Sequence, residues 1–539
     1  MKNYSSLCTK LLFSLLAFLF SAAPTFGAVY QYSVKFGAHG TAFLWIPEKC
    51  NYVRGIIWSM QNLMERNWLE DPIIRRAAAA EGLAIVYVAG KDPSITWEMK
   101  PESVEATKRL FENLAKESGY DELAFAPIIW MGHSFHGRTW IFAKAMPERT
   151  LAAIPIRTYP IPESFGFTGI PVCYIVGQTT ELPQYNDGRP GDRDFFWPVV
   201  RDTSLALRAA NQSNLVGVVV YPGGTHTDWD DTQARFVALL IHKICHYRLP
   251  KEEPVNGPVK LSALVPEDGW LIDSGLLNPD QFAPAPYREY KGDPKKAYWF
   301  FDRETAMAAV DFNGDRHPRE KQMVTFVQDG KPLPVKPGLS GADLKFEPEA
   351  DGLTFKVEGG FLSEIPGGLV GAGTKLGHAT SGAFRFSKVQ GPVIQTGANT
   401  FRVQFDGQCV GTKPNGASIM VEHPGDKHHR RAVQPMTVQF PMRLTAGKPQ
   451  TLTFPKLEDQ PASVKSVELR ATSDSGLPID YYVVSGPAEV DGNMLRIVQI
   501  PAKSHFPIRV TVVAYQWGRT IESLYRSAVP VEQTFSIVK

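Results

Sequence analysis

The sequence contains few cysteines and no motif built from them. Only 5 of the 539 residues are cysteine, and no two of them form a C-x-x-C pair. Cys8 lies in an N-terminal apolar segment, while Cys50, Cys173, Cys245 and Cys409 are far apart. A disulfide scaffold and a zinc-binding pattern are therefore excluded, and we expect neither a metal nor a cofactor. Cys173 and Cys245 lie in apolar runs and are expected to be buried thiols.

An excess of charge of one sign is also missing. The 57 Lys and Arg residues nearly balance the 55 Asp and Glu residues, which leaves a net charge of +2. This balance gives no reason to expect a nucleic acid or an anionic membrane surface as partner. The chain is 43% hydrophobic and 539 residues long, enough for sizeable cores in about two to four domains.

Hydrophobic runs long enough to cross a bilayer are absent after residue 28. The apolar run Leu11–Ala23 follows Lys10 and precedes small residues, which is typical of a secretory signal peptide. We assign residues 1–28 to this peptide, with cleavage near Ala23 or around Gly27-Ala28; the alternative is an uncleaved N-terminal anchor. The sequence thus predicts a secreted or periplasmic protein with no membrane span after cleavage.

Residues 29–249 alternate short apolar runs with helical patterns. The predicted strands are YQYSVKF, TAFLWIP, RGIIWS, GLAIVYVA, APIIWMG, LAAIPIR, IPVCYIVG and LVGVVVYPG. Several are continuously apolar, as in strands that a parallel sheet buries on both faces. Asp71-Pro72 opens the first helical window with a cap and a first-turn proline. These patterns predict an α/β fold, a mostly parallel sheet with flanking helices and an antiparallel edge.

The composition and the pattern of the sequence change after Leu249. PKEEPVNGP has the composition of a linker, and from there short alternating strands with Gly and Pro predominate. One helical fragment, RETAMAAVDF, interrupts them. This favours all-β, sandwich-type regions, which we divide into 250–448, of unknown role, and 449–539. Trp299-Phe300-Phe301 fit a core better than a sugar-binding platform, although a glycan remains a candidate partner.

The stretch IIWMGHSFHGRTW, Ile128 to Trp140, places a serine between a strand pattern and a helix pattern. A nucleophile elbow, G-x-S-x-G, has this context, because the sharp turn exposes the serine hydroxyl. Gly132 and Ser134 match the motif. His136 stands where the second glycine is expected, and Gly137 follows one residue late. We interpret Ser134 as a nucleophile.

A serine hydroxyl needs a base, and the chain offers one in the expected order. His226 follows the last predicted strand and two glycines, Gly223 and Gly224. The alternative interpretation is a capping or surface histidine. The acid that orients the base should lie between Ser134 and His226 in the chain. The candidates are Glu181, which is our first choice, and Asp187, Asp192 and Asp194.

The oxyanion of such a site is held by two backbone amides. We expect one from Phe135, which follows the nucleophile, and the other from Met60 or Gln61, at the end of the third strand. No HGGG motif decides between them. His133 and His136 are candidates for the wall of the site.

These motifs resemble the α/β-hydrolase superfamily across about Val29 to Leu249. The elbow, the segment IPVCYIVGQTTE and the segment YPGGTHTDW carry the resemblance, and His136 departs from it. It implies a serine hydrolase that forms an acyl-enzyme, with esters as the commonest substrates. Separately, Ala471 to Val538 resembles the Ig-like β-sandwich repeats of bacterial secreted and surface proteins, which space or dock other domains.

HPGDKHHRR, His423 to Arg431, clusters histidine and arginine. It is a candidate for binding a metal or an anionic polymer, but a solvated charged loop fits better, because adjacent histidines in an irregular loop have no defined ligand geometry.

Two functions follow from these observations. The first is an exported hydrolase of carboxylic esters on small molecules or polymers, for example acyl groups on polysaccharide. A peptidase shares this mechanism, whereas dienelactone-type hydrolysis normally uses a cysteine nucleophile. The second is a non-catalytic binding or adhesion protein with a degenerate hydrolase scaffold, which His136 favours. No pattern indicates an oligomeric state.

Overall fold

The computed structural model describes residues 30–90, 92–96, 98–162, 165–177, 197–221, 224–251, 257–274, 282–312, 319–335, 343–368, 371–406 and 416–539. The predicted signal peptide and Cys409 lie outside these residues. Within them, no helix has the length and hydropathy that a membrane crossing needs. Cys245 is buried, Cys173 is partly buried, and both are free thiols.

An eight-stranded sheet forms the first part of the chain. Its strands are β1 (Tyr32–Phe36), β2 (Gly40–Trp45), β3 (Gly55–Met60), β4 (Leu83–Ala89), β5 (Ile128–His133), β6 (Thr150–Ile156), β7 (Pro171–Gly177) and β8 (Leu215–Tyr221). They lie in the order β1-β2-β4-β3-β5-β6-β7-β8. β2 is antiparallel to β1 and β4, and the later pairs are parallel. The predicted α/β fold, a mostly parallel sheet with flanking helices and an antiparallel edge, is confirmed.

Helices connect the parallel strands. They are α1 (Glu65–Leu69), α2 (Pro72–Ala80), α3 (Pro101–Ser118), α4 (Thr139–Ala145), α5 (Trp197–Ala210) and α6 (Asp231–Arg248). All residues of β3, β4, β5, β6 and β8 are buried, which explains their continuous apolar runs. α2 begins as its sequence predicts, with Pro72 in its first turn and the Asp71 carboxylate accepting from the Ile73 amide.

The parallel strands bring distant turns to one edge of the sheet. β3 ends at Met60, β5 at His133 and β8 at Tyr221, and all three strands point the same way. The segments that follow them therefore meet beyond the carboxyl ends of the strands, where open α/β sheets place their sites.

The described residues of the segment 257–312 pack against this sheet. It contains β9 (Trp270–Asp273), β10 (Ala285–Pro286), β11 (Ala297–Phe300) and α7 (Arg303–Phe312). Arg208 Nε of α5 donates to Ala297 O at 2.6 Å, and Lys243 of α6 binds Asp302 at 2.6 Å. Trp299, Phe300 and Phe301 are buried, so their interpretation as core residues is confirmed. The core of the sheet thus continues past Leu249, where composition suggested a boundary.

The middle region is built from strands around a separate core that includes Phe326, Phe401 and Ile419. Its strands are β12 (Val324–Gln328), β13 (Lys331–Pro332), β14 (Asp343–Lys345), β15 (Thr354–Lys356), β16 (Glu358–Phe361), β17 (Arg385–Gln390), β18 (Val393–Gln395), β19 (Thr400–Val403), β20 (Gly416–His423) and β21 (Ala432–Gln439). They form the sheets β13-β12-β16, β14-β21-β20-β17 and β15-β19-β18. The predicted β architecture is confirmed.

The last region is also β-rich. Its strands are β22 (Leu452–Thr453), β23 (Gln460–Pro461), β24 (Ser466–Glu468), β25 (Thr472–Ser473), β26 (Asp480–Ser485), β27 (Ala488–Asp491), β28 (Met494–Ile497), β29 (Ile508–Tyr515) and β30 (Val531–Val538). They form the sheets β23-β30-β29-β26 and β24-β28-β27 and the pair β22-β25. The region meets the first part of the chain where the Lys503 amide donates to Tyr120 Oη at 3.1 Å. The Ig-like assignment and the boundaries of the three parts remain predictions.

Candidate active site

Ser134 stands at a strained turn between β5 and α4. β5 ends at His133, and a 3₁₀ turn, Ser134–Gly137, leads to the helix. Ser134 has a φ of 53°, in the left-handed region that residues with a side chain rarely adopt. Such strain persists only where the surrounding structure enforces it. The turn has the strand-to-helix context of a nucleophile elbow.

The late glycine is explained by the contacts of the turn. A Cβ on Gly132 would lie 2.3 Å from the carbonyl oxygen of His136. A Cβ on Gly137 would lie 2.5 Å from Cβ of Thr158. Both positions are too crowded for a side chain, whereas position 136 carries a partly exposed histidine. In this turn the second position that has no room for a side chain is therefore 137 and not 136. His136 is compatible with the turn.

His226 reaches Ser134 from the loop after β8. Its Nε2 lies 2.8 Å from Ser134 Oγ, within the range for a general base and its nucleophile. In the neutral tautomer with the proton on Nδ1, the hydroxyl donates to Nε2. The imidazole is 3% exposed, so the interpretation as a surface histidine is wrong.

His133 lies beneath this pair. It is wholly buried, and its ring centroid is 4.6 Å from that of His226. Burial, reinforced by the nearby His226, holds the pKa of His133 well below its usual range. The neutral ring donates from Nε2 to the carbonyl oxygen of His226 at 2.6 Å. His133 therefore hydrogen-bonds to the backbone of the candidate base, and because it is wholly buried, its prediction as a wall of the site is wrong.

Asp228 organises the loop that carries His226. It is wholly buried, and its Oδ1 accepts from the Thr225 amide at 2.9 Å. Arg157 Nη2 lies 2.9 Å from Oδ1, and Arg431 Nη1 donates to Oδ2 at 3.0 Å. Sequence reasoning assigned none of these three charged residues a role in this loop. The one available signal was the position of Asp228, two residues after the candidate base.

The four candidates for the acid of the site lie in the segment after β7. Glu181, Asp187, Asp192 and Asp194 all lie outside the described residues. Asp228 is described, but both of its oxygens are engaged by guanidinium groups. Glu181 remains the predicted orienting carboxylate.

Of the three predicted oxyanion donors, the structure contradicts Gln61 only. The Gln61 amide donates to Val88 O at 2.7 Å inside the sheet, so Gln61 as an oxyanion donor is wrong. Its side chain is also engaged, because Oε1 accepts from the Gly90 amide at 3.0 Å. Phe135, directly after the nucleophile, and Met60, the last residue of β3, remain predicted donors.

Glu65 clamps the segment between β3 and α1. Its carboxylate is 2% exposed, and Oε2 accepts from the amides of Asn62 and Met64 at 2.8 and 3.1 Å. Asn62 Nδ2 in turn donates at 3.3 Å to the carbonyl oxygen of His133, the residue directly before Ser134. Burial raises the pKa of Glu65 to about 7, against the opposing effect of backbone amides that donate to it. Glu65 is therefore a buried titratable group close to the turn that carries Ser134.

Replacement of Glu65 by glutamine is expected to stabilise the fold at pH 8 and to have little effect at pH 5. The folded carboxyl stays protonated up to about pH 7, whereas the unfolded one ionises near its ordinary value of 4.5. Unfolding between these values releases a proton that the folded state retains, so the stability of the parent chain falls as pH rises. Across this pH range the free energy of unfolding of the parent chain falls by about 3 kcal/mol. Glutamine does not ionise, so the variant does not lose this stability.

Urea unfolding of both proteins at several pH values measures this difference, which should grow with pH. Glu102→Gln, at an exposed position of α3, is the matched control and should show no trend. A difference between Glu65→Gln and the parent that does not change with pH contradicts the assignment.

The surface beside Ser134 combines aromatic rings with a cation. Phe135 is 40% exposed, and its ring meets that of His136 edge-on at 5.6 Å. The Arg138 guanidinium lies 4.9 Å from the Phe135 ring centroid and 4.2 Å from that of Tyr159. Aromatic rings and a guanidinium group thus border Ser134. The role of His136 as a wall of the site stays a prediction.

The segment His423 to Arg431 differs from the solvated loop that its composition suggested. It connects β20 to β21, and His423 is 2% exposed. Arg431 is also largely buried and binds acidic residues of two different regions. Among the described residues no cluster of His, Cys, Asp and Glu has the geometry to hold a metal ion.

No protein-family model matches the chain, and a search of curated proteins finds no match. Solved structures similar to it include a poly(3-hydroxybutyrate) depolymerase from Bordetella parapertussis, 16% identical, with a TM-score of 0.28 over 37% of this chain and 83% of that one. An S-formylglutathione hydrolase from Agrobacterium tumefaciens is 12% identical, with a TM-score of 0.27 over 40% and 93%. Est1E from Butyrivibrio proteoclasticus is 15% identical, with a TM-score of 0.24 over 39% and 96%. At such low identities these similarities do not bear on activity.

Proposed function

We propose that this protein is an exported serine hydrolase that cleaves carboxylic esters through an acyl-enzyme. The observation that carries the proposal is the 2.8 Å contact of His226 Nε2 with the hydroxyl of Ser134, a residue held at a φ of 53°. The strained backbone of Ser134 destabilises the fold, which a non-catalytic scaffold has no reason to retain. In an enzyme the same strain exposes the hydroxyl to its base.

In the proposed reaction, Ser134 Oγ attacks the ester carbonyl while His226 Nε2 takes the hydroxyl proton. The tetrahedral oxyanion is held by backbone amides, with Phe135 and Met60 as candidates. Collapse breaks the bond to the alcohol, which leaves with the proton from His226. Water then attacks the acyl-serine with the same base and releases the acid. Glu181 is the proposed carboxylate that orients His226 through Nδ1–H.

The proposed substrates are esters with bulky or polymer-attached alcohols, for example acylated polysaccharides. β6 ends at Ile156 and β7 begins at Pro171, so this connection is too short to carry a cap domain. The lack of a cap domain in this connection suits large substrates, as do the β-rich regions that follow the sheet. The exposed Phe135 ring and the adjacent Arg138 offer an apolar and hydrogen-bonding surface beside the nucleophile.

A fluorophosphonate probe tests the mechanism directly, because it reacts with activated serines. We expect stoichiometric labelling of the parent chain at Ser134 and none of Ser134→Ala. In parallel, a panel of short-chain, aromatic and acetylated-glycan esters should reveal hydrolysis by the parent chain. A folded parent chain that neither labels nor hydrolyses any ester rejects this function and favours a non-catalytic binding or adhesion role.

A further inference from the structure

The hairpin of β20 and β21 reaches the loop that carries His226. Arg431 lies directly before β21, and its side chain is 10% exposed. Its Nη1 donates to Asp228 Oδ2 at 3.0 Å. Asp228 Oδ1 accepts at 2.9 Å from the amide of Thr225, the residue before His226. A short chain of contacts thus connects the middle region to the candidate base.

The guanidinium is held at both of its ends. On its own hairpin, Nη2 donates to Glu422 Oε2 of β20 at 2.9 Å. Towards the sheet, the guanidinium lies 4.7 Å from the ring centroid of Tyr221, the last residue of β8, and Nη2 lies 3.7 Å from Asp230. Such a rigid, multidentate fork fixes the position of what it binds far better than a flexible ammonium group.

Asp228 depends on this cation because it is wholly buried. A buried carboxylate is tolerated only when it is paired and hydrogen-bonded. Arg157 neutralises Asp228 from within the sheet domain and Arg431 from outside it. Without Arg431, the remaining described contact of Oδ2 is Gln233 Nε2 at 3.5 Å.

We propose that Arg431 is a positioning residue for His226, so that the middle β region completes the active site of the sheet domain. The inference rests on the proposed function. Arg431 touches no reacting atom; it acts through Asp228 and the Thr225 backbone, which set the distance from His226 Nε2 to Ser134 Oγ. A displacement of about 1 Å at such a pair lowers the rate by about 100-fold.

Kinetics of full-length variants test this role. Arg431→Met removes the charge and keeps the length, and we expect kcat to fall by about 10- to 100-fold with KM changed by less than about 3-fold. Arg431→Lys restores a single contact and should recover part of the loss. The matched control is Asp406→Asn, because Asp406 forms another ion pair between the same two regions, at 3.0 Å from Arg66. This control should leave kcat unchanged.

Hydrogen exchange of the peptide that spans 224–231 gives a second readout that needs no substrate. Exchange at Thr225 should be faster in Arg431→Met than in Asp406→Asn, because Asp228 no longer holds that amide rigidly. If Arg431→Met fails to fold, Glu422→Gln takes its place; it loosens the same guanidinium and should lower kcat several-fold.

The proposal is overturned if Arg431→Met keeps the kcat of the parent chain, or if Asp406→Asn loses as much as Arg431→Met. Unchanged exchange at Thr225 also overturns it. A parent chain without esterase activity or probe labelling rejects the proposed function and the kinetic part of this inference, while the exchange experiment still decides whether Arg431 orders the loop.

Discussion

Replacement of His226 by alanine is expected to lower kcat for ester hydrolysis by about four to six orders of magnitude, with little change in KM. The imidazole is the only described base in contact with Ser134, at 2.8 Å, and an unassisted serine hydroxyl is a poor nucleophile. Ser134→Ala should lose as much. Because the two residues act as a unit, the double variant should be no slower than either single variant.

Steady-state kinetics on an ester that the parent chain cleaves provide the measurement. His242→Ala is the matched control, since His242 lies on α6 and is exposed apart from its contact with Glu81 at 2.6 Å. It should retain the activity of the parent chain. Additive losses in the double variant, or substantial activity in His226→Ala, contradict the assigned pair.

Substitution of Gly132 by alanine is expected to abolish labelling of Ser134 by the fluorophosphonate probe and to destabilise the fold. The new Cβ would lie 2.3 Å from the His136 carbonyl oxygen, a backbone atom of the same tight turn. Neither group can move without opening the turn that holds Ser134 at positive φ. Overpacking of this kind costs about 1–3 kcal/mol or more and displaces the nucleophile.

The labelling rate and the urea midpoint together report on this substitution. Gly166→Ala serves as the control, because its Cβ would meet no atom within 4 Å. It should label at the rate of the parent chain. Normal labelling and stability in Gly132→Ala would show that the turn relaxes without loss, and that the crowding does not enforce the elbow.

Much of the sheet domain was predictable from local patterns. The eight predicted strands match the eight strands of the sheet, and five of them are wholly buried, because a strand buried on both faces leaves a continuous apolar signature in the sequence. The order of Ser134 and His226 was predictable for a related reason: Ser134 directly follows β5, His226 lies in the loop after β8, and both strands end at the same edge. The packing of the described residues of 257–312 against the sheet was not predictable. The segment follows a stretch with the composition of a linker, and this composition does not show that Trp299 and Phe300 belong to the core of the sheet.

The amino-acid sequence alone determined the α/β architecture and the positions of the candidate nucleophile, Ser134, and its candidate base, His226. Only the tertiary structure showed which residues hold the loop and the backbone of His226, the candidate base. Arg431 lies 203 residues from Asp228, and His133 lies 93 residues from the carbonyl group that it supports. Contacts between residues so far apart leave no periodic trace, because helix and strand patterns report only which face of an element is buried. Likewise, only the packed turn explains why the crowded position is Gly137 and not position 136.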